Sequence, residues 1–286
     1  MSQSLISAAL RDAGQSVQHF AKIIEYPCGI MDIVASSKPD FKESGWELAG
    51  DWGSPSQKGD PDNKKERKSA DPKGEDFMRS MRRARAKVRR IALANEFRWF
   101  VTLTIDPKKL DRHDAAAVVR HLNSWCSNAV QRLGLRYVLV PERHKDGGLH
   151  FHGFFSDSMN VVDSGTIKPP GGGKPRKPRS KAQRQEWLSN GGQIVYNLPQ
   201  WTLGFTTAME LYGEYPAAVA YVCKYIGKDG DKPAGRWYYS GGSLKEPKVT
   251  FSEISPAELS ESYGDKVFVI DPPGRRLAIV NGIKVE

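Results

Sequence analysis

The sequence has few cysteines and no long apolar run. Its three cysteines, Cys28, Cys126 and Cys223, are too few and too scattered for a disulfide framework or a cysteine-based zinc site. Its longest apolar runs fall well short of the roughly 18 residues that a membrane span needs. The N-terminal segment also lacks the apolar core and the cleavage site of a signal peptide. We therefore expect a protein of the cytoplasm that has no membrane partner.

Acidic residues are also in deficit. The chain has 286 residues, with 43 Lys and Arg against 33 Asp and Glu, which gives a formal net charge of +10. A content of 39% hydrophobic residues is enough for a globular core. A positive charge of this size indicates an anionic partner, and nucleic acid is the first candidate.

The positive charge is concentrated in two segments. Residues 64–90 contain twelve basic and four acidic residues, and residues 164–185 contain seven basic residues and no acidic one. The remainder of the chain is slightly acidic. This distribution predicts a DNA clamp formed by two segments, which is a sharper expectation than affinity for any polyanion.

The first cationic segment predicts a helix whose long side chains contact phosphates. A solvated helix face is the alternative, but such a face usually mixes charges of both signs. The predicted contact residues are Arg79, Arg82, Arg83, Arg85, Lys87, Arg89 and Arg90.

The second cationic segment, residues 164–185, is rich in glycine and proline. That composition disfavours a helix or a strand, so we predict a flexible loop that closes over a nucleic-acid strand. A plain surface insertion is the alternative. The cationic residues expected to contact DNA here are Lys174, Arg176, Lys177 and Arg179.

Composition divides the chain into three regions. Residues 1–75 are rich in Gly, Pro, Ser, Asp and Lys, which predicts a variable, partly flexible and weakly structured N-terminal region. Residues 76–245 contain the motifs described below and form the predicted main domain. Residues 246–286 are a C-terminal extension that completes the sheet of the main domain or forms a small appendage.

The main domain combines strands with amphipathic helices. Runs of β-branched and aromatic residues predict strands, and apolar residues at spacings of three and four predict helices. A strand, a helix and a hairpin in succession are typical of an α+β fold. The predicted elements are strands at 98–105, 137–140 and 149–155, one or two strands within 193–208, and helices at 115–133 and 216–229.

Two histidines alternate with a phenylalanine in one predicted strand. Residues i and i+2 of a strand point to the same face, so His150 and His152 present their imidazoles side by side while Phe151 points away. Glu142, at the end of the preceding strand, can supply a third ligand. Mixed nitrogen and oxygen ligands suit Mg²⁺ or Mn²⁺ that also binds a phosphate. The alternative is a pair of ordinary strand histidines.

Two tyrosines lie one helical turn apart in the last predicted helix of the main domain. Tyr221 and Tyr225 share a face there, and Lys224 follows Tyr221 at i+3. A phenol attacks phosphorus only if its anion is stabilised or its proton is accepted. Lys224 and a metal on the phosphate offer that help. The alternative is amphipathic packing with two interfacial tyrosines.

The order of these motifs resembles that of the HUH-type rolling-circle replication initiators of small single-stranded DNA phages and plasmids. The segments FVTLT, HFHGFF and YVCKY carry the resemblance, which covers about residues 95–240 and is closest to the two-tyrosine YxxKY type. It implies a central antiparallel sheet of about five strands with flanking helices. It also implies that His150, His152 and Glu142 bind the metal and that Tyr221 and Tyr225 are the nucleophiles.

The resemblance further implies a reaction and its partners. Origin-specific cleavage of one strand would give a 5′-phosphotyrosine link and a free 3′-OH, and the second tyrosine would close the released strand. The implied partners are single-stranded or extruded origin DNA and the host helicase and DNA polymerase, in the cytoplasm of a bacterial host. Residues 1–75 and the long basic segment depart from the family. No P-loop is present, since Gly171-Gly-Gly-Lys174 runs into Pro175, so we expect no built-in helicase.

Two other interpretations remain open. A relaxase or a transposase would use the same chemistry, although tyrosines placed after the histidines favour an initiator over a relaxase, and transposases of this type commonly use one tyrosine. A non-catalytic DNA-binding protein with structural histidines is an alternative from a different class.

Overall fold

The computed structural model describes residues 18–42, 74–211 and 215–285. These residues form two units. The described parts of Met1–Asp51 and Glu246–Glu286 make up the smaller unit, and those of Trp52–Lys245 make up the larger one. Within the described ranges, every helix is too short or too polar to cross a membrane.

The elements are numbered in chain order. The strands are β1 (Gln18–His19), β2 (Ala21–Tyr26), β3 (Ile30–Ser36), β4 (Phe41–Lys42), β5 (Trp99–Ile105), β6 (Tyr137–Arg143), β7 (Leu149–Phe155), β8 (Val162–Lys168), β9 (Gln193–Asn197), β10 (Gly204–Glu210), β11 (Tyr239–Gly241), β12 (Lys248–Ser252), β13 (Phe268–Ile270) and β14 (Leu277–Lys284). The helices are α1 (Glu75–Asn95), α2 (Ala115–Leu133), α3 (Lys181–Ser189), α4 (Tyr215–Cys223) and α5 (Pro256–Tyr263), and a 3₁₀ turn follows α5 at Gly264–Lys266.

The larger unit is built on one antiparallel sheet. Its strand order is β11-β6-β7-β5-β10-β9-β8, so β7 and β5 lie near the centre. The predicted α+β class and the antiparallel sheet with flanking helices are confirmed. The sheet has seven strands where about five were expected, because β11 and β8 extend its two edges.

One face of this sheet packs against α2. Every second residue of β5, from Trp99 to Ile105, is buried, as its alternating pattern requires. The helix has the predicted bounds because both ends are capped. The Asp114 carboxylate accepts a hydrogen bond from the Ala117 N–H, and Gly134 leaves the helix at a φ of 65°. The residues of α2 buried in this layer include Val118, Leu122, Cys126 and Ala129.

The opposite face of the sheet lies against α1 and α4. Tyr215 joins the two helices, because its hydroxyl donates to the Ala92 carbonyl at 2.7 Å and accepts from the Phe97 N–H at 3.2 Å. Its ring centroid lies 6.2 Å from that of Phe154 on β7. The start of α4 is therefore fixed both to α1 and to the sheet.

The flexible loop predicted over 164–185 is wrong at both ends. Residues up to Lys168 belong to β8, which pairs with β9, and α3 begins at Lys181. The strand depends on its distant partner, which local composition does not reveal. The helix depends on Ser180, whose side chain accepts a hydrogen bond from a backbone N–H of the first turn. Between these elements, Arg176 forms an isolated bridge with β8.

The helix predicted over 216–229 is also too long, since α4 ends at Cys223. Beyond it the chain continues in tighter turns, in which the N–H groups of Tyr225 and Lys228 bond carbonyls three residues earlier. Gly227, with a φ of 81°, then turns the chain away from a helical path. The apolar spacing continues past the true end of the helix, which explains the error.

The smaller unit is a separate five-stranded sheet with the order β12-β2-β3-β14-β13, while β1 pairs with β4. Its core combines residues from both ends of the chain. The weakly structured N-terminal region was therefore wrongly predicted for residues 18–42, because their partner strands lie at the far end of the sequence. Residues 1–17 and 43–73 lie outside the described residues. The buried core residues are Ala21, Ile33, Ala35, Leu259, Ala278 and Val280.

Candidate metal centre and tyrosine pair

Glu142, His150 and His152 meet on the face of the sheet that points away from α2. The antiparallel register of β6 and β7 places Glu142 directly opposite His150. His152 lies two residues further along β7 and so shares the face of His150. Phe151 and Phe155 alternate with these positions and fill the core beneath α2. The strand pattern alone therefore turns both imidazoles toward the glutamate.

The three side chains converge on one point. Nε2 of His150 and Nε2 of His152 each lie 2.9 Å from the same atom, Oε2 of Glu142. One possible ligand atom from each side chain lies within 4.8 Å of the other two. Glu142 is only 5% exposed and His152 only 9% exposed. Two imidazole nitrogens and a carboxylate in this arrangement could hold a metal ion.

Thr102 supports the metal centre from the neighbouring strand. It lies opposite His152 in the pairing of β5 with β7, and its Oγ1 is 3.0 Å from Nδ1 of His152. Contact at Nδ1 leaves Nε2 facing Glu142, as is typical of the groups behind metal-binding histidines. Sequence analysis missed Thr102, although the alternation in FVTLT already placed Thr102 and Thr104 on one face.

Burial favours the protonation states that bind a metal. Desolvation, followed by the neighbouring His150, lowers the pKa of His152 to about 4. Desolvation also lowers the pKa of His150. Burial by itself would raise the pKa of Glu142, but the hydrogen bond from Lys228 and the nearby imidazoles bring it below its ordinary value. The free site therefore holds neutral imidazoles and an ionised carboxylate near neutral pH.

Tyr225 and Tyr221 lie over this centre. The ring of Tyr225 stacks on His152 with 4.3 Å between centroids, and its hydroxyl donates to that of Tyr221 at 2.5 Å. Burial, and then the hydrogen bond with Tyr221, raise the pKa of Tyr225. Tyr221 is 49% exposed. The two phenol oxygens are thus adjacent even though Tyr225 lies beyond the end of α4.

The lysine at this centre is Lys228, which sequence analysis missed. Its ammonium group pairs with Oε1 of Glu142 and lies 5.3 Å from the ring centroid of Tyr225. Lys224 is exposed and forms no hydrogen bond or ion pair with any residue that the structure describes. The spacing could have indicated Lys228, because each tyrosine is followed by a lysine three residues later.

Helix α1 holds the turn that follows α4. The Arg85 guanidinium donates two hydrogen bonds to the Ile226 carbonyl, at 3.1 Å from Nε and 2.8 Å from Nη2. In return, the Cys223 thiol donates to the Arg85 carbonyl at 3.7 Å. Arg85, expected to contact phosphate, therefore makes a contact that positions Tyr225 instead of pointing freely into solvent.

The other cationic residues of α1 differ in exposure. Arg82 and Arg83 are exposed, and Arg79 forms an ion pair with Asp76 at 3.3 Å. The remaining three, Lys87, Arg89 and Arg90, are partly buried. Contact of these residues with DNA stays a prediction.

The four predicted cationic residues of the second segment are all exposed. Arg176 lies over the Trp187 ring, 5.0 Å from its centroid, which ties this segment to α3. Over the described ranges, none of the four forms a hydrogen bond or ion pair with Glu142, His150 or His152. Their contact with DNA also stays a prediction.

An exposed aromatic ring extends the row of residues that contains the metal centre. Phe205 on β10 lies opposite Thr104 on β5, and Thr104 lies opposite His150 on β7. Directly paired residues share a face, so Phe205 is on the histidine side of the sheet, about 10 Å away at the usual strand spacing. Its side chain is 65% exposed. Such a ring can stack on a nucleic-acid base.

Comparison with known proteins agrees with a role in replication. Residues 98–230, just under half of the chain, match the family described as replication-associated protein ORF2. The matched segment includes the metal centre, both tyrosines and Lys228. No curated protein and no solved structure matches the chain significantly. The family match supports a replication initiation protein.

Proposed function

We propose that this protein is an HUH-type replication initiator that cuts and rejoins one DNA strand at an origin through a phosphotyrosine intermediate. The position of the tyrosine pair carries the proposal, because Tyr225 stacks directly on His152 and shares a hydrogen bond with Tyr221. A packing role alone does not require both phenol oxygens to lie beside a cluster of metal-binding groups. The match to replication-associated proteins supports the biological context.

The proposed metal is Mg²⁺ or Mn²⁺, held by His150, His152 and Glu142. The donor set fits, since two buried imidazole nitrogens face one carboxylate oxygen and Thr102 fixes one of the rings from behind. When bound, the ion would polarise the scissile phosphate. The protein side chains would orient that phosphate beneath the tyrosines and keep the carboxylate ionised.

In the proposed cleavage, the phenol oxygen of one tyrosine bonds to phosphorus while the bond from phosphorus to the 3′ oxygen breaks. The products are a 5′-phosphotyrosine and a free 3′-OH, and the phenol proton ends on the departing 3′ oxygen. Lys228 lies beside Tyr225 and would stabilise negative charge as it develops on the phenol.

The second tyrosine gives the proposed enzyme a way to finish replication. After one round, the other phenol would attack the regenerated origin, and the 3′-OH released there would attack the first phosphotyrosine. Each exchange conserves the number of phosphodiester bonds, so the circle closes without an external energy source. The adjacent hydroxyls of Tyr221 and Tyr225 allow both to reach one phosphate position.

The proposed substrate is single-stranded or extruded origin DNA lying across the histidine face of the sheet. Phe205 would stack on a base about one to two nucleotides from the metal centre, as aromatic residues do in single-strand binding sites. The proposed partners are a host helicase, which would unwind the duplex, and a host polymerase, which would extend the 3′-OH.

The decisive experiment incubates the purified protein with a 5′-labelled or 3′-labelled origin oligonucleotide and Mn²⁺ or Mg²⁺. We expect a metal-dependent, SDS-resistant adduct that carries only the label on the 3′ side of the cut. Each single variant, Tyr221→Phe or Tyr225→Phe, should retain some adduct, and the double variant should lose it. His150→Ala should abolish the adduct but leave DNA binding nearly intact.

Two results would contradict this function. Cleavage that survives in the double tyrosine variant would show that water or another group is the nucleophile. DNA binding without any adduct, across metals and origin sequences, would favour the non-catalytic DNA-binding interpretation.

A further inference from the structure

A second concave site lies on the other side of the sheet from the metal centre. It is a cavity of about 420 Å³ at the edge formed by β11, between α2 and the segment that leads into that strand. Tyr137 and Tyr239, which line it, belong to the core layer beneath α2, whereas the histidines point to the opposite face. The residues lining this edge cavity are Asn123, Tyr137, Lys232, Gly235, Arg236, Trp237, Tyr238, Tyr239 and Ser240.

The charge of the edge cavity has one sign. Lys232 and Arg236 are both exposed at its rim, and its lining contains no carboxylate. Lys232 lies 5.5 Å from the ring centroid of Trp237, so its ammonium group is held above an aromatic surface. Two cations with no acidic neighbour in the lining favour an anionic ligand.

The aromatic walls of the edge cavity are fixed by the protein. The indole N–H of Trp237 donates to Ser80 Oγ at 2.9 Å, and the Tyr239 hydroxyl donates to the Ala234 carbonyl at 2.5 Å. Both polar atoms are therefore satisfied, which leaves the rings as rigid, apolar surfaces. Rigid aromatic walls next to cations are suited to a flat, partly apolar group that carries a negative charge.

Several polar groups of the edge cavity are available to a ligand. The Asn123 amide, the Tyr238 hydroxyl and the Arg236 guanidinium form no hydrogen bond with any residue in the described parts of the chain. An amide can donate to and accept from the edge of a base, and a guanidinium can bind a phosphate in a bidentate manner. These groups lie around the same aromatic walls.

We propose that the edge cavity binds a nucleoside phosphate, with the base against its tyrosines and the phosphate on Arg236 and Lys232. The volume is within the range of small-ligand sites and accommodates one nucleotide unit. This site is separate from the metal centre, and its occupancy does not depend on the cleavage chemistry proposed above. The nucleotide comes either from a DNA strand held away from the catalytic face or from free nucleotides.

The test uses the full chain carrying Tyr221→Phe and Tyr225→Phe, in EDTA, so that neither covalent attachment nor metal binding contributes. Binding of a fluorescent dT12 oligonucleotide is measured by anisotropy, and binding of dTMP is measured by saturation-transfer NMR. Arg236→Gln with Lys232→Gln should weaken binding about tenfold, since charge-assisted hydrogen bonds are lost. The matched control, Lys108→Gln with Arg132→Gln, removes the same charge from exposed sites elsewhere and should change binding far less.

The two sources of the nucleotide give different results. A loss seen for dT12, together with photocrosslinking of a 4-thiothymidine oligonucleotide to Tyr238 or Trp237, assigns the cavity to a DNA strand. A loss seen for dTMP alone assigns it to free nucleotides. If the cavity variant and the control weaken both ligands equally, or if crosslinks avoid the cavity residues, the cavity is not a nucleotide site. Neither result depends on whether the protein cleaves DNA.

Discussion

At the scale of single residues, the carboxylate of Glu142 connects the two imidazoles with the ammonium group of Lys228. Its Oε2 atom faces both histidines, and its Oε1 atom pairs with Lys228. The ammonium group therefore neutralises a charge that a divalent cation would otherwise neutralise. Lys228 has two opposite effects in this arrangement, since it competes with the metal and also lies next to the phenol of Tyr225.

The first prediction separates these two effects. Lys228→Met should tighten Mn²⁺ binding by a few fold, because the competing ion pair is removed. The same variant should slow adduct formation, because the phenolate loses its nearby cation. Lys224→Met is the matched control for metal affinity, which isothermal titration calorimetry measures. Equal Mn²⁺ affinities for Lys228→Met and the wild type would show that the ion pair does not oppose metal binding.

The second prediction concerns the pH dependence of stability without metal. The pKa of His152 is lowered to about 4 by burial, whereas an imidazole in the unfolded chain titrates near 6.5. The unfolded state therefore takes up this proton first, and stability is lost as the pH falls from about 6.5 toward 4. The lowered pKa of Glu142 acts in the same direction, since its stabilisation is also lost on acidification.

Urea unfolding at several pH values in EDTA measures this loss. We expect the free energy of unfolding to fall by up to about 1.4 kcal/mol per pH unit for each group that titrates differently in the two states. His152→Gln should reduce the slope, whereas His121→Gln, at an exposed position on α2, should leave it unchanged. A slope that is identical in His152→Gln and the wild type would show that another group causes the acid sensitivity.

At the scale of elements, the position of Tyr225 depends on the packing of a turn against α1. Gly227 has a φ of 81°, and a Cβ atom added there would overlap with Sδ of Met81. Arg85 holds the preceding carbonyl of the same turn. The nucleophile-bearing segment is therefore not defined by α4 alone but by a glycine that allows close contact with a second helix.

The third prediction tests this contact with two glycines. Gly227→Ala should reduce the free energy of unfolding by about 1–3 kcal/mol, through backbone strain together with crowding at Met81. Gly230→Ala is the matched control, because Gly230 has a φ of 71° but nothing within 4 Å of the added Cβ. Gly227→Ala should be the more destabilising of the two and should slow adduct formation. Equal effects of the two substitutions would remove the contact with α1 from the explanation.

At the scale of the whole molecule, the excess of positive charge is expected to set the affinity for DNA. Arg82 and Arg83 are exposed on α1, close in sequence to Arg85, which contacts the tyrosine turn. Each phosphate contact on single-stranded DNA contributes about 0.7 to the slope of log affinity against log salt concentration.

The fourth prediction follows from this relation. Arg82→Gln with Arg83→Gln should reduce the salt slope for single-stranded origin DNA by about 1.4 if both residues contact phosphates. Arg132→Gln with Lys108→Gln removes the same charge from other exposed positions and should change the slope less. Fluorescence anisotropy at several salt concentrations gives both slopes. An unchanged slope in the α1 variant would place this helix away from the DNA.

Local patterns determined much of the larger unit. The helix at 115–133 was predicted with its true bounds, because its apolar period and its capping residues at Asp114 and Gly134 agree. Alternation in β7 likewise determined that His150 and His152 share a face, since a strand reverses its side chains at every residue. These features depend only on neighbouring residues, and for that reason the sequence was sufficient.

Tertiary structure decided the features that join distant segments. No local pattern shows that residues 18–42 pair with strands from the other end of the chain, or that β8 extends the sheet from within a basic segment. The tertiary structure also selected Lys228 instead of Lys224, because α4 ends at Cys223 and the turn held by α1 brings the later lysine to Glu142. The sequence by itself determined which residue types could bind a metal and attack a phosphate, through their chemistry and spacing. Only the packing of helices and strands against each other determined which of them meet, because such contacts depend on the path of the whole chain.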